Sequence, residues 1–308
     1  MEAFLAACIV AGTPLVLATV GELITEKSGS LNLGVEGMML MGAVMGFSAA
    51  YNTGSPLLAV LCAALAGGGG ALIFALVTVT LRANQTVTGL TLTIFGTGFA
   101  SFVGQPMIGF SVPKSVSVFF AKMSLPVLGD IPVLGPIFFR QDVFVYFAYA
   151  VVVLSCVYLY KTRLGLNMRA VGENAAAADA SGIPVTLYKY AHIVAGGALC
   201  GLGGAYLALI RVPIWQSDVV TGRGWIAVAL VIFAAWNPLK ALVGAIFFGG
   251  LSILGLRLQA MGFSLSQYLV DMVPYVATVV IVVISSHRKK KENQPPADLG
   301  NNYFREER

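Results

Sequence analysis

Long apolar runs separated by short polar stretches make up most of the chain. They fall at 4–24, 31–51, 56–81, 86–104, 143–160, 191–212, 225–236, 239–258 and 269–286. A helix rises about 1.5 Å per residue, so a run of about 20 residues crosses the roughly 30 Å of bilayer hydrocarbon. Most of the runs meet that length. The run 225–236 covers only about 18 Å, so it needs Val219 to Gly224 as an extension or belongs to a broken helix. The pattern predicts an all-α, polytopic membrane protein of about nine transmembrane helices, within a range of roughly eight to ten. Residues 1–286 form its membrane domain and 287–308 a basic tail. Small-xxx-small pairs (Gly42 and Gly46, Gly197 and Gly201, Ala245 and Gly249) mark faces where helices approach closely.

Two segments outside the spans are long enough to matter. The first, 105–142, holds five prolines and apolar patches too short to cross, which suit the membrane interface or a surface for an external partner. The second, 161–190, contains an Ala-rich stretch from Asn174 to Ser181, ended by Gly182 and Pro184. That reads as a short capped helix, with Gly182 at the position after the C-cap. It suits a lever that docks into a cytosolic partner; an ordinary connecting loop is the other reading. The tail, HRKKKENQPPADLG onward, reads as a solvated stop signal, disordered beyond Asn293, with lipid headgroups as its one further contact.

Charge orients the chain. With nine crossings and the N-terminus outside, thirteen Lys and Arg residues lie in the cytosol and six outside, the usual positive-inside bias. Only 11% of residues are charged and 57% are hydrophobic, with a mean hydropathy of +0.84. Soluble domains carry about 25% charged residues, which excludes that class. The start, MEAFLAACIVAG, has no basic n-region and reads as a retained first span. Cys8, Cys62, Cys156 and Cys200 sit singly in apolar runs, as packing residues and not as a disulfide or metal set. The basic residues are distributed by membrane side, so no nucleic-acid partner is expected.

Polar residues inside apolar runs are the candidate chemistry. The stretch SGSLNLGVEGMMLMGAVMG, Ser28 to Gly46, starts a span yet carries Asn32 and Glu36 among Gly29, Gly34 and Gly37. A carboxylate in lipid costs several kcal/mol, so Glu36 faces a partner or a water-filled cavity, or else sits solvated at the membrane edge. A weak internal echo sets GVEGMMLMGAV at Gly34 against TGRGWIAVALV at Thr221, with Glu36 opposite Arg223. The two motifs begin on opposite sides, as an inverted repeat requires, and the two charges are expected to pair near its axis. Freed backbone groups at Gly-flanked helix starts can contact a polar solute. Asn32, Glu36, Asn84, Gln85, Thr88 and Arg223 are therefore the expected pathway residues.

No phosphate loop, zinc-protease or nucleophile-elbow motif is present, and there are two histidines, His192 and His287, both read as interfacial. No catalytic residue, metal or cofactor is expected.

GSLNLGVEGMMLMGA, LRANQTVTGL, TRLGLNMRAVGENAAAADASGI and GRGWIAVAL, in that order over nearly the whole chain, carry a family resemblance. The chain resembles membrane permease subunits of bacterial ABC importers, in the group shared by ribose, branched-chain amino acid and nucleoside systems. Within that group it is most similar to the smaller permease of nucleoside importers that use a basic-membrane-protein type receptor. The resemblance implies an inner-membrane location, a second permease subunit, cytosolic ATPase subunits, an external substrate-binding lipoprotein and a small polar solute. It also implies that Gly172 to Ile183 is the coupling helix, with Gly172, Glu173, Asn174, Ala177, Asp179 and Gly182 meeting the ATPase. The other class of function is a self-sufficient secondary transporter or channel that uses Glu36 as a proton or cation site.

Overall fold

The computed structural model describes residues 2–126, 128–260, 267–286 and 294–305. Among these residues, nine helices take up the nine apolar runs: α1 (Glu2–Lys27), α2 (Val35–Thr53), α3 (Pro56–Ala75), α4 (Gln85–Gly104), α6 (Val143–Lys161), α9 (Val185–Tyr206), α10 (Arg223–Phe233), α11 (Pro238–Ala260) and α12 (Gln267–Ser286). A π turn lengthens α3 over Leu76–Thr80 and another lengthens α9 over Leu207–Arg211. Three short helices lie between them: α5 (Lys114–Phe119), α7 (Arg163–Glu173) and α8 (Ala175–Ala180). With their π and 3-10 extensions counted, α1, α3, α4, α6 and α9 are each long and apolar enough to cross a membrane.

Local chemistry sets the helix ends. Ser55 accepts a hydrogen bond from Leu58 N–H at 3.4 Å with Pro56 in the first helical position of α3. Asp142 accepts one from Val145 N–H at 3.0 Å at the start of α6. Gly54 closes α2 at φ +65°, a conformation that disfavours any side chain. The sequence pattern started the α9 span at 191, but the helix begins at Val185, directly after Pro184. Its first turns are polar, so a hydropathy reading passes over them, while a proline still fixes the entry. His192, expected at the interface, is buried in α9, with Nε2 2.6 Å from Tyr158 Oη and Nδ1 2.6 Å from the Tyr188 carbonyl. His287 lies outside the described residues.

The bundle is centred on α1 and α9, whose apolar windows are 67% and 72% buried, with α4 at the margin at 28%. Glycine lets the central backbones touch. A Cβ on Gly42 would collide with the Gly201 backbone, one on Gly67 with the Gly197 carbonyl, and one on Gly201 with the Ala63 carbonyl, which locks α2, α3 and α9 together. On the other side, a Cβ on Gly12 of α1 would lie 2.6 Å from the Ala245 carbonyl of α11.

The segment 105–142 does not cross. It folds over the Thr53 end of the bundle as α5, a two-stranded hairpin of β1 (Met123–Ser124) and β2 (Arg140–Gln141), and short turns. Ser115 ties it to the Gly54 carbonyl at 2.8 Å, and Phe120 packs tilted against Phe144, which in turn meets Tyr206. At the opposite, Lys27 end, the tail departs from expectation. Residues 294–305 are not a free solvated coil but pack onto α7, α8 and the start of α4, with Leu299 and Tyr303 against apolar clusters. The basic cluster from Arg288 to Lys291 lies outside the described residues.

Glycine contact makes a paired prediction. Gly201→Leu should lower the thermal unfolding midpoint and yield of detergent-solubilised protein, because overpacking costs about 1–3 kcal/mol or more. At Gly69 an added Cβ would meet nothing within 4 Å, so this position should tolerate Ala and gain about 0.5–1 kcal/mol in helix propensity. Equal behaviour of the two variants would contradict the packing assigned to Gly201.

Candidate functional site

Two stretches of non-helical backbone enter the bundle from opposite ends, and each leads to a helix start. The first is 28–34. Buried backbone groups need partners, and here side chains supply them. Leu31 N–H donates to Gln85 Oε1 at 2.7 Å, Asn32 N–H to Glu22 Oε1 at 3.1 Å, and Gly34 N–H to Asn32 Oδ1 at 2.9 Å. Thr93 Oγ1 donates to the Leu33 carbonyl at 3.0 Å. Glycine allows the fit, since a Cβ on Gly89 of α4 would lie 2.6 Å from Leu33 N.

The second stretch, 213–222, starts at the Thr53 end, where Trp215 exchanges backbone hydrogen bonds with Gly109 and Phe110, at 3.0 Å each. It then runs through the buried Val219 and Val220 to Thr221 (φ +50°) and Gly222 (φ +78°), and α10 begins. The short α10 is thus the half of a broken span nearer the Lys27 end, one of the two alternatives the sequence left open.

The two stretches meet at Glu36. Its Oε1 accepts Gly222 N–H at 2.7 Å and its Oε2 accepts Gly224 N–H at 2.6 Å, which places a carboxylate on the orphan donors of the α10 N-terminus. A Cβ on Gly224 would come within 2.5 Å of Glu36 Cα, so only glycine permits this approach. The expected Glu36–Arg223 ion pair does not form, and among the described residues no ion pair joins them. Arg223 Nη1 instead donates to the Val219 and Val220 carbonyls, at 3.3 and 2.9 Å, and to Thr221 Oγ1 at 2.5 Å. The two echo motifs do pack together, but through backbone amides on either side of Arg223.

Glu22 and Glu26, one helical turn apart near the end of α1, are buried and belong to the same region. Glu26 Oε2 accepts Trp236 Nε1–H at 2.6 Å just past the other end of α10. Neither is among the residues expected from the sequence. The available signal was a pair of carboxylates four residues apart, running directly into the Ser28–Gly46 stretch.

At the Lys27 end the other expected residues have internal tasks. Asn84 caps α4 by accepting Val87 N–H at 3.0 Å, and Thr88 Oγ1 bonds back to the Asn84 carbonyl at 2.8 Å. Gln85 binds Leu31 on one side and the tail residues Asn301 and Asn302 on the other. Gln85, Arg82, Thr78, Lys189, Asn302 and Tyr303 line a cavity of about 400 Å³.

The helix α8 has the capped form the sequence predicted. Asn174 accepts Ala177 N–H at 2.8 Å, and Gly182 follows at φ +83°. Ala175 and Ala178 pack inward while Ala176, Ala177 and Ala180 face out. Gly172 packs against Gly29, where its Cβ would lie 3.1 Å from Gly29 N. Ahead of α8 stands α7, which the sequence reading did not assign; its N-cap Thr162 accepts Gly165 N–H at 3.0 Å. Glu173 and Asp179 face the chain's own tail: Glu173 Oε2 accepts Ala297 N–H at 3.4 Å, and Asp179 Oδ2 accepts Tyr303 Oη–H at 2.7 Å.

Residues 4–283 match the family described as branched-chain amino acid transport system / permease component. A putative glucose ABC transporter permease of Haloferax volcanii is 40% identical over 84% of this chain and 78% of its own length. A guanosine ABC transporter permease of Bacillus subtilis is 35% identical over 89% of each chain. A nucleoside ABC transporter permease of Lactococcus lactis is 33% identical over 91% of each. No solved structure matches the chain at a significant level.

The chain belongs to this family of ABC permease subunits.

The permease is accordingly a multi-pass membrane protein whose relatives are transport subunits. Its α2–α10 junction yields a direct test. Glu36→Gln offers one acceptor oxygen and an NH₂ group to two N–H donors, so one donor is left unpaired at a cost of about 1–3 kcal/mol. The unfolding midpoint of the solubilised protein should fall accordingly, and should fall less for Arg223→Ala, whose guanidinium serves only its own segment. An Arg223→Ala loss as large as that of Glu36→Gln would restore the side-chain ion pair.

Proposed function

We propose that the chain is the permease subunit through which an ATP-driven importer admits a nucleoside. Its basic end faces the cytosol of a bacterial cell and its 105–142 segment the outside, in keeping with the charge bias. A second permease, cytosolic ATPase subunits and an external binding lipoprotein complete the system, and ATP hydrolysis belongs to the ATPase subunits. The observation that carries the reading is α8: a capped helix of six residues at the Lys27 end, with alanine on its outward face. That face is smooth enough to enter a groove on another protein, and alanine forms the helix at no cost in propensity. Gly172, Glu173, Asn174, Asp179 and Gly182 shape and hold it, and Ala177 lies on the surface offered to the ATPase.

The solute passes the outer side of the α2–α10 junction, where Asp218 and Thr221 are exposed and Arg223 is half-buried. Asn32 and Glu36 hold that junction from behind, and Asn84, Gln85 and Thr88 hold the start of α4. Nucleosides are favoured as cargo by the named activities of the Bacillus subtilis and Lactococcus lactis relatives; the Haloferax volcanii relative makes glucose the competing solute. The self-sufficient transporter reading needs Glu36 to be available to a proton or cation, whereas both its oxygens already accept backbone N–H donors.

Ala177→Glu should leave the spans folded and reduce ATPase recovered with the tagged permease about tenfold, as a loss of about 1.4 kcal/mol from an interface does. Uptake of labelled guanosine by cells carrying the whole system should fall in parallel. Undiminished recovery and uptake would make α8 an ordinary loop, and saturable uptake of glucose in place of guanosine would reassign the solute.

A further inference from the structure

The segment 294–305 contacts four separate parts of the Lys27 end. At 28–34, Gly300 N–H donates to the Gly29 carbonyl at 3.4 Å. At the α3–α4 turn, Asn302 Nδ2 donates to the Arg82 and Ala83 carbonyls at 2.7 and 3.2 Å, and the Arg82 guanidinium lies 4.8 Å over the Phe304 ring. On α9, the buried Lys189 donates to the Asn301 carbonyl at 3.4 Å. The fourth part is α7–α8. Asp298 N–H donates to the Gly172 carbonyl at 3.0 Å, and Asp298 Oδ2 accepts Ala175 N–H, the first of α8, at 3.3 Å. At the far end of α8, Asp179 receives both Tyr303 Oη–H at 2.7 Å and Arg305 Nε at 3.3 Å.

Resting on the permease reading above, we propose that residues 294–305 are a strap that forms the ATPase docking surface together with α8. The helix has six residues, a length of about 9 Å, and the strap touches it at both ends, so a groove that clasps α8 also meets the strap. Asp179, the carboxylate of α8 itself, is turned to the strap, while Glu173 touches the strap and stays exposed. What α8 and the strap offer the ATPase is the alanine face, Glu173 and the strap's own outward groups, including Arg305, whose side chain is 72% exposed. The strap also ties α8 to the 28–34 backbone, the α3–α4 turn and α9, so α8 is linked to three other elements through hydrogen bonds.

The test compares the full-length permease with a 294–308 deletion and with the double variant Tyr303→Phe/Arg305→Ala, each co-expressed with the second permease and the ATPase. Ala177→Glu serves as the reference. ATPase recovered per tagged permease should fall about fivefold or more in the deletion, the lower bound of ordinary coupling between sites, and by a smaller factor in the double variant. Elution as a single species and an unchanged unfolding midpoint establish that each variant is folded; if the deletion is not, the double variant decides. Wild-type recovery in both strap variants, with loss in Ala177→Glu, would show that α8 docks alone and overturn the strap. No ATPase recovery with the wild-type permease would instead overturn the permease reading, and the strap with it.

Discussion

A helix that begins inside a membrane protein presents N–H donors that water cannot reach, and each unsatisfied donor costs several kcal/mol. The α10 helix begins in that way, and Glu36 is what satisfies it. The carboxylate has its own desolvation cost, which two short charge-assisted hydrogen bonds and the positive end of α10 offset. Neither half is stable alone: the carboxylate without the amides is an unpaired charge, and the amides without the carboxylate are buried orphans. Gly224 must be glycine for the two to come together, because a Cβ there would collide with Glu36. The break in the span, the carboxylate in the opposing helix and the small residue between them are one constraint.

The same rule explains the polar residues around the 28–34 stretch. The 28–34 stretch is non-helical where a helix would have met its own hydrogen bonds, and Glu22, Gln85, Asn32 and Thr93 each satisfy one of its backbone groups. Glu26 anchors the turn beyond α10, where Ala235 and Trp236 adopt φ values of +49° and +54°. Where helices are regular, as in the contact of α2, α3 and α9, glycine and alanine suffice. The buried carboxylates Glu22, Glu26 and Glu36 serve backbone or side-chain N–H groups in or beside stretches where the backbone is not helical.

Features set by neighbours in sequence were legible in the chain. Hydropathy located the nine apolar helices, though it began α9 six residues late, and the run of twelve residues at 225–236 was visibly too short to span. Asn174, Gly182 and Pro184 announced α8 and its ends through capping chemistry alone. Features set by pairing across the chain were not. The echo between Gly34 and Thr221 pointed to the right two motifs, but opposite charges suggested a side-chain pair where the geometry uses backbone amides. Glu22 and Glu26 were overlooked because their partners lie 10 and 210 residues away. The tail was misread for a similar reason: its composition is that of a solvated coil, and its order comes from carbonyls at Gly172, Gly29, Arg82 and Ala83 that no local pattern displays.

These long-range pairings also form one continuous route. From α8 it runs through Asp298 to Gly172 and along the strap to Gly300, which donates to Gly29. It continues along the 28–34 backbone past Gln85 and Glu22 to Asn32 and Gly34, then into the first turn of α2 and across Glu36 to α10. Every link is a peptide bond or a hydrogen bond. The route therefore joins α8 to α10 without passing through an apolar helix face. A hydrogen bond weakens steeply once its geometry is lost. The route ends at Glu36, whose single carboxylate holds the start of α10.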